Sequence, residues 1–326
     1  NLQWSGYRQK SRERTVLEID TLIKRHQLLS IAFMDNLLPA KGLESLFHSI
    51  QRLGRDLRMF AEIRAKTSPS HLEAMAAAGI DKFQVGVEAL STTLLKKFNK
   101  GTTAIDNFEI MNNCEHSRLQ DLAANLILNF PSSVSQDVAE TLKNLTFVFA
   151  FRPLKGFPLW LGYGIPLWRD PAQYQIRLKG NHPNYRHLFP SEEIQSFHFM
   201  IQGYHGGVRH QQRMWKPVRQ KLREWRHFYE HVHQGPGFRP ILSYKDGKDF
   251  LIIHERRLHE DDMTHRLTGN SRVIYLFCEV QRPITEILAR FPRFSEEKIQ
   301  AFLRMMVDKR LMFNEGDRYL SLAISL

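Results

Sequence analysis

Seven polar residues close four strand-like segments of this sequence, and together they have the makings of a ligand site. Asp35 and Asn36 follow the apolar run at 30–34. Glu62 and Arg64 stand two apart near the end of 59–63, so they share one face of an extended strand. Glu88 follows Val85-Gly86-Val87, and Asn125 and Asn129 lie on the segment that stops at Pro131. Carboxylates, amides and a guanidinium converging at successive strand ends can hydrogen-bond and charge-pair a small polar ligand. Each residue also has a plainer role open to it. Asp35 can start a turn. Glu62 and Arg64 can form a structural ion pair. Glu88 can serve as a start charge for a helix opening at Ser91. Either asparagine can be an ordinary hydrogen-bonding strand residue. Four successive strands ending in polar groups favour the joint, site-like reading.

Other reactive types are weaker. Cys114 beside His116 reads as a structural thiol, and Cys278, near Tyr275 and Phe277, reads as core. The 15 histidines include no HExxH pair, and no phosphate-binding loop or serine elbow appears. His205, His210, His227, His231 and His233 read as surface residues on a basic segment. Between Arg209 and Arg226 there are seven Lys/Arg and one acid, with Trp215 and Trp225 interleaved. That stretch is either a solvated helix face or a surface for an acidic peptide or nucleic-acid backbone.

The elements that must hold these residues alternate through the first half. Strand-like runs at 30–34, 59–63, 82–87 and 122–130 are separated by helical patterns at 12–25, 42–53, 69–79, 92–98, 104–116 and 134–150, and 159–163 is a further strand candidate. Strands alternating with helices imply parallel pairing and right-handed crossovers. With no glycine-rich dinucleotide fingerprint, the pattern points to a complete or partial barrel. Residues 156–184, rich in Pro, Gly and aromatics, read as irregular loop. Residues 215–233 form an amphipathic helix with Val218, Leu222, Trp225, Tyr229 and Val232 on one face. Gly235-Pro236-Gly237 marks a domain boundary. Beyond it, 273–278 is a mixed stretch. Helices near 283–290 and 295–309 and a hairpin at 311–320 follow a winged-helix order. The expected architecture is therefore α/β: a partial (β/α) TIM-like barrel at 1–163, a helical bridge at 164–238 and a winged-helix-like module at 239–326.

Composition sets the outer bounds. The 326 residues are 42% apolar and 25% charged, as in a folded globular chain large enough to need no staple. Two cysteines exclude a disulfide framework and a four-cysteine metal site within this sequence. No apolar run approaches a membrane span and no signal peptide opens the chain, so a cytoplasmic location is expected. With 46 basic against 34 acidic residues the net charge is +12, which favours an anionic partner without choosing among nucleic acid, phosphate and acidic peptide.

Four blocks, in order and at sensible spacing, carry a family resemblance. They are Phe60-Ala-Glu62-Ile-Arg64, Ala78-Gly79-Ile80, Gln84-Val-Gly86-Val-Glu88-Ala-Leu-Ser91 and Leu95-Lys-Lys-Phe-Asn-Lys100-Gly101-Thr102. This run resembles the middle of a radical S-adenosylmethionine (SAM) enzyme barrel. Asp35-Asn36-Leu37-Leu38 and Leu126-Ile-Leu-Asn129-Phe-Pro131 extend it. Together with the closing Gly316-Asp317-Arg318-Tyr319-Leu320-Ser321-Leu322-Ala323, it is most similar to the cobalamin-associated proteins that mature ribosomally made peptides (RiPPs).

The resemblance implies that Glu88 binds the SAM ribose hydroxyls and that Glu62 and Arg64 contact SAM, with Arg64 forking onto its carboxylate. Asp35 and Asn36 occupy the position that holds the SAM amino group, and Asn125 and Asn129 line the adenine or substrate side. It further implies reductive cleavage of SAM at a 4Fe–4S cluster, hydrogen abstraction from a peptide carbon, and C-methylation or related C–H functionalisation, with cobalamin as a possible cofactor. The family holds its cluster with three closely spaced cysteines, and this sequence has no such triplet. Residues 1–11 look like the stretch just after the third cysteine. The chain is therefore expected to begin just past the cluster loop, and to be inactive alone because thiolates must hold the cluster.

The C-terminal module carries the partner reading. A recognition helix mixing Lys298, Arg304 and Lys309 with Glu296, Glu297 and Asp308 argues against strong DNA binding. A precursor peptide held by strand addition is expected instead. Two rivals remain open at this level: a non-catalytic peptide- or nucleic-acid-binding protein on a degenerate barrel, and an ordinary barrel enzyme such as an aldolase or hydrolase.

Overall fold

A serine opens the first helix. In the computed structural model α1 (Arg12–His26) is capped by Ser11, whose side chain accepts from the Arg14 N–H. The structure describes residues 8–35, 38–39, 41–117, 121–235, 240–257 and 261–326. Asn36, Leu37, Pro236 and Gly237, and residues 1–7 of the stretch at 1–11, lie outside these residues.

The first half continues as β1 (Ser30–Ala32), α2 (Leu43–Gln51), β2 (Arg58–Ile63), α3 (Pro69–Ala77), β3 (Ile80–Glu88), α4 (Thr92–Lys97), α5 (Ala104–His116), β4 (Asp121–Leu128), α6 (Ser135–Asn144) and β5 (Lys155–Pro158). Strands β1 to β5 form one sheet in sequence order, and every neighbouring pair is parallel. Right-handed crossovers in an order that never reverses put all the helices on one face. The sheet is thus part of a barrel wall and has no topological switch point.

Burial follows the same division. Met59, Ala61 and Ile63, then Phe83, Val85 and Val87, then Ala124, Leu126 and Leu128 are buried and join the helix faces in one core. The alternate residues Phe60, Glu62, Gln84, Gly86, Asn125 and Ile127 are only half-buried. A parallel sheet covered on both faces carries continuous apolar runs. The alternation here leaves the second face half-covered, with Glu62, Gln84 and Asn125 among its residues.

The fifth strand differs from the sequence reading. It lies at Lys155–Pro158, not 159–163, and pairs Asn125 with Lys155 through Leu128 with Pro158. Gly156 permits this: a Cβ there would lie 2.9 Å from Leu128 Cδ1 and 2.8 Å from Leu222 Cδ1. The stretch read as loop is also structured. β6 (Leu161–Gly162), α7 (Pro166–Arg169), β7 (Arg177–Asn181), α8 (Ser191–Ser196) and β8 (Ile201–His205) follow, and the three strands pair antiparallel in the order β6-β8-β7. Gly164 (φ 75°), in the turn after β6, and Gly180 (φ 81°), at the register shift within β7, take left-handed positions.

α9 (Val208–Met214) and α10 (Lys216–Val232) come next. Trp215 and Trp225 are fully buried, and their ring N–H groups donate to Ser133 Oγ and the Phe151 carbonyl, both at 2.9 Å. The tryptophans of the basic stretch are therefore core, which removes the aromatic half of the nucleic-acid surface reading. Phe228 completes the buried face, whereas Tyr229 and Val232 are half-buried.

The last part holds β9 (Leu242–Asp246), β10 (Phe250–Glu255), β11 (Met263–Thr268), α11 (Gly269–Phe277), β12 (Arg282–Pro283), α12 (Ile284–Arg290), α13 (Glu296–Asp308), β13 (Met312–Glu315), β14 (Arg318–Ser321) and β15 (Ile324–Ser325). One sheet runs β11-β10-β9-β15 and another runs β12-β14-β13. The mixed stretch at 273–278 is the end of helix α11, and Cys278 is buried as expected. Among the described residues no helix is long and apolar enough to cross a membrane.

Candidate functional site

The open face of the sheet ends in a cleft of about 460 Å³ at the carboxyl ends of β2 and β3. Glu62, Arg64, Lys66, Gln84, Gly86, Glu88, Lys100 and Thr102 line it. The alternation of β2 brings Glu62 and Arg64 to the same side, and the ladder sets Glu62 against Gln84. Glu88 is the last residue of β3. A register shift between Val85 and Glu88, together with a left-handed φ of 63° at Glu88, turns the chain there.

Glu62 and Arg64 do not pair with each other, and neither side chain has a hydrogen bond or ion pair among the described residues. Glu88 is not the start charge of α4. Glu140 takes that place, accepting from the Thr92 N–H at 2.9 Å and from Ser91 Oγ at 2.8 Å. Glu88 instead meets Lys100 Nζ at 3.1 Å.

The remaining candidates lie elsewhere. Asp35 is exposed, and neither it nor Asn125 or Asn129 lines the cleft. Asn125 shares the open face of the sheet. Asn129, with φ 59°, accepts a hydrogen bond from Arg219 Nη1 at 2.9 Å and so ties the end of β4 to α10. Sequence reasoning did not single out Lys66, Gln84, Lys100 and Thr102. The signals were the strand alternation after Arg64, the residue opposite Glu62, and the Lys100-Gly101-Thr102 turn.

The cleft suits a zwitterion bearing hydroxyls. It presents two carboxylates and three cations, of which Lys66 is engaged with Asp106 at 3.3 Å. Thr102 Oγ1 is buried and has no hydrogen-bond partner among the described residues, so it can take up a polar ligand atom. Gly86 leaves room, because a Cβ there would meet Lys100 Nζ at 3.0 Å and Glu88 Oε1 at 3.9 Å. These features fit SAM, with its amino-acid and ribose groups.

They do not fit an iron–sulfur cluster. Cys114 and Cys278 are both buried, and among the described residues no three His, Cys, Asp or Glu side chains group as metal ligands. Burial pushes the Cys278 thiol up to about 12 and the Cys114 thiol well above its ordinary value.

No family model and no curated protein matches the chain. Solved structures similar to it include radical SAM enzymes. One is the cobalamin-dependent SAM radical enzyme OxsB with aqua-cobalamin and SAM bound, at 18% identity and TM-score 0.39, covering 58% of this chain and 27% of that one. Another is coproporphyrinogen III oxidase (HemN) from Escherichia coli, at 10% identity and TM-score 0.40, covering 96% of this chain and 81% of that one. The chain thus spans about a quarter of the OxsB chain's length.

Proposed function

We propose that this chain is the SAM-holding part of a radical SAM enzyme that modifies a ribosomally made peptide. The observation that supports it is the meeting of Glu62, Arg64 and Glu88 in one cleft, with Glu62 and Arg64 unpaired among the described residues. Arg64 forks onto the methionyl carboxylate, Glu62 faces the ammonium, and Glu88 accepts from the ribose hydroxyls. Thr102 Oγ1 takes up a further polar atom of the nucleoside. The chain's residues bind and orient SAM. The cluster's ligands are not in this sequence, so no redox step is assigned to it.

C-methylation or related C–H functionalisation, and the use of cobalamin, rest on the segment resemblance given above. In the C-terminal part, the order α11, β12, α12, α13, β13, β14 supports a winged-helix reading of this module. The acids and bases mixed along α13 favour a precursor peptide over a nucleic-acid backbone as its partner.

Calorimetric titration of the chain with SAM tests the central assignment. Saturable binding is expected, with loss in Arg64→Ala and a weakening of about tenfold or more in Glu88→Gln. Failure to bind SAM, or binding indifferent to both substitutions, overturns it.

A further inference from the structure

We infer that Gln281 and Glu315, from the C-terminal part of the chain, are positioning residues of the cleft, holding the wall that carries Lys66, Lys100 and Thr102. The inference rests on reading the cleft as a SAM site. Its starting point is the α5 N-terminus, which directly follows the cleft loop at 99–102. The first N–H groups of a helix have no partners within it. Here three of them find side-chain partners. The Thr103 N–H donates to Asp106 Oδ2 at 2.9 Å and the Ala104 N–H to Thr92 Oγ1 at 2.7 Å. The Ile105 N–H donates to Glu315 Oε2 at 2.8 Å, and the other Glu315 oxygen accepts from Thr92 Oγ1. A carboxylate brought from the β13–β14 hairpin thus completes the cap and sits at the positive end of the helix.

Gln281 completes the clamp. Its Nε2 donates to Asp106 Oδ1 at 2.9 Å and to Glu109 Oε2 at 2.8 Å, while its backbone N–H donates to Glu109 Oε1 at 2.9 Å. Its Oε1 accepts from Arg318 Nη1 at 2.9 Å. One amide therefore fixes two carboxylates on the outer turn of α5. With Oδ1 of Asp106 held, Oδ2 is left to face the Thr103 N–H and Lys66 Nζ, the latter at 3.3 Å. Lys66 lines the cleft, so the path from Gln281 to the ligand passes through one side chain, Asp106. Asp106 is buried. Burial alone would raise its carboxyl, but Gln281, the Thr103 N–H and Lys66 hold it below its ordinary value.

The test compares SAM affinity by titration in the full chain for wild type, Gln281→Ala, Gln281→Glu and Leu303→Ala. Gln281→Glu keeps the side chain's size but sets a carboxylate against Asp106 and Glu109. Leu303 is buried in α13 and reports on loss of stability alone. Affinity is expected to fall about fivefold in Gln281→Ala and further in Gln281→Glu. Leu303→Ala is expected to melt at a lower temperature yet bind as wild type. Unchanged affinity in Gln281→Glu, while Arg64→Ala abolishes binding, overturns the inference and leaves the cleft reading intact. An equal loss in Leu303→Ala also overturns it. Binding that survives Arg64→Ala sinks the cleft reading itself, and this inference with it.

Discussion

Lys100 Nζ stands 3.1 Å from Glu88 Oε1, above a backbone position where Gly86 leaves no side chain. The pair bridges the end of β3 and the loop before α5, and the missing Cβ keeps the floor of the cleft open. Gly86 has no left-handed φ, so alanine is compatible with its backbone. Gly86→Ala is expected to fold, with a melting temperature within about 4 °C of wild type, and to weaken SAM binding by filling the cleft. Differential scanning fluorimetry and titration check both halves; undiminished SAM affinity refutes the role given to Gly86.

Glu115 makes stability depend on pH. Burial pushes its carboxyl from 4.5 up to about 7, against the Arg152 N–H that donates to it at 3.0 Å and the nearby Arg152 charge. The folded state then binds more protons than the unfolded state between these values. The contribution of Glu115 is fully present below pH 4.5, declines as pH rises through 7 and is flat above. Its range is on the order of 3 kcal/mol. His116 works in the opposite sense, because burial lowers its ring and penalises the charged form. Urea denaturation of wild type and Glu115→Gln across pH 4.5–8 separates the two. The stability difference between the proteins is expected to shift toward the variant as pH rises; a constant difference contradicts this account.

Both thiols are expected to be inert in the folded chain. Cys114 and Cys278 are buried, and burial raises both above ordinary thiol values. A thiol-reactive dye at pH 8 should label neither until denaturant is added, when both react. Prompt labelling of the native chain contradicts the packing described.

Phe313 ties the C-terminal hairpin to α5 and to the turn after α6. Its ring stacks on Phe108 with centroids 3.9 Å apart and meets Phe147 edge-on at 5.3 Å. Phe313→Ala should cost about 3–5 kcal/mol, read as a lower urea midpoint with an unchanged slope. A loss under about 1 kcal/mol would show that the hairpin packs independently of α5.

What the sequence made legible was local or periodic. Strands β2 to β4 follow apolar alternation, Ser91 caps the helix expected to open there, and α12, α13 and the closing hairpin lie close to their predicted spans. Glu62, Arg64 and Glu88 meet because strand periodicity and sheet order carry them to one rim. The rest depended on partners distant in sequence. Lys155–Pro158 looks like loop because its glycine is needed only for contact with Leu128 and Leu222. Trp215 and Trp225 sit among basic residues, yet their N–H groups reach Ser133 and Phe151 in the core. Lys66 and Lys100 are unremarkable surface cations until the fold shows what they border. No window around Thr103 reveals that Glu315 caps α5.

That last contact has a consequence for synthesis. Ile105 is added to the chain 210 residues before Glu315, an interval of roughly 10–40 s at ordinary elongation rates of about 5–20 residues per second. Through that time the barrel segment exists without its final cap. The nascent chain therefore spends that interval with the start of α5 lacking its carboxylate partner.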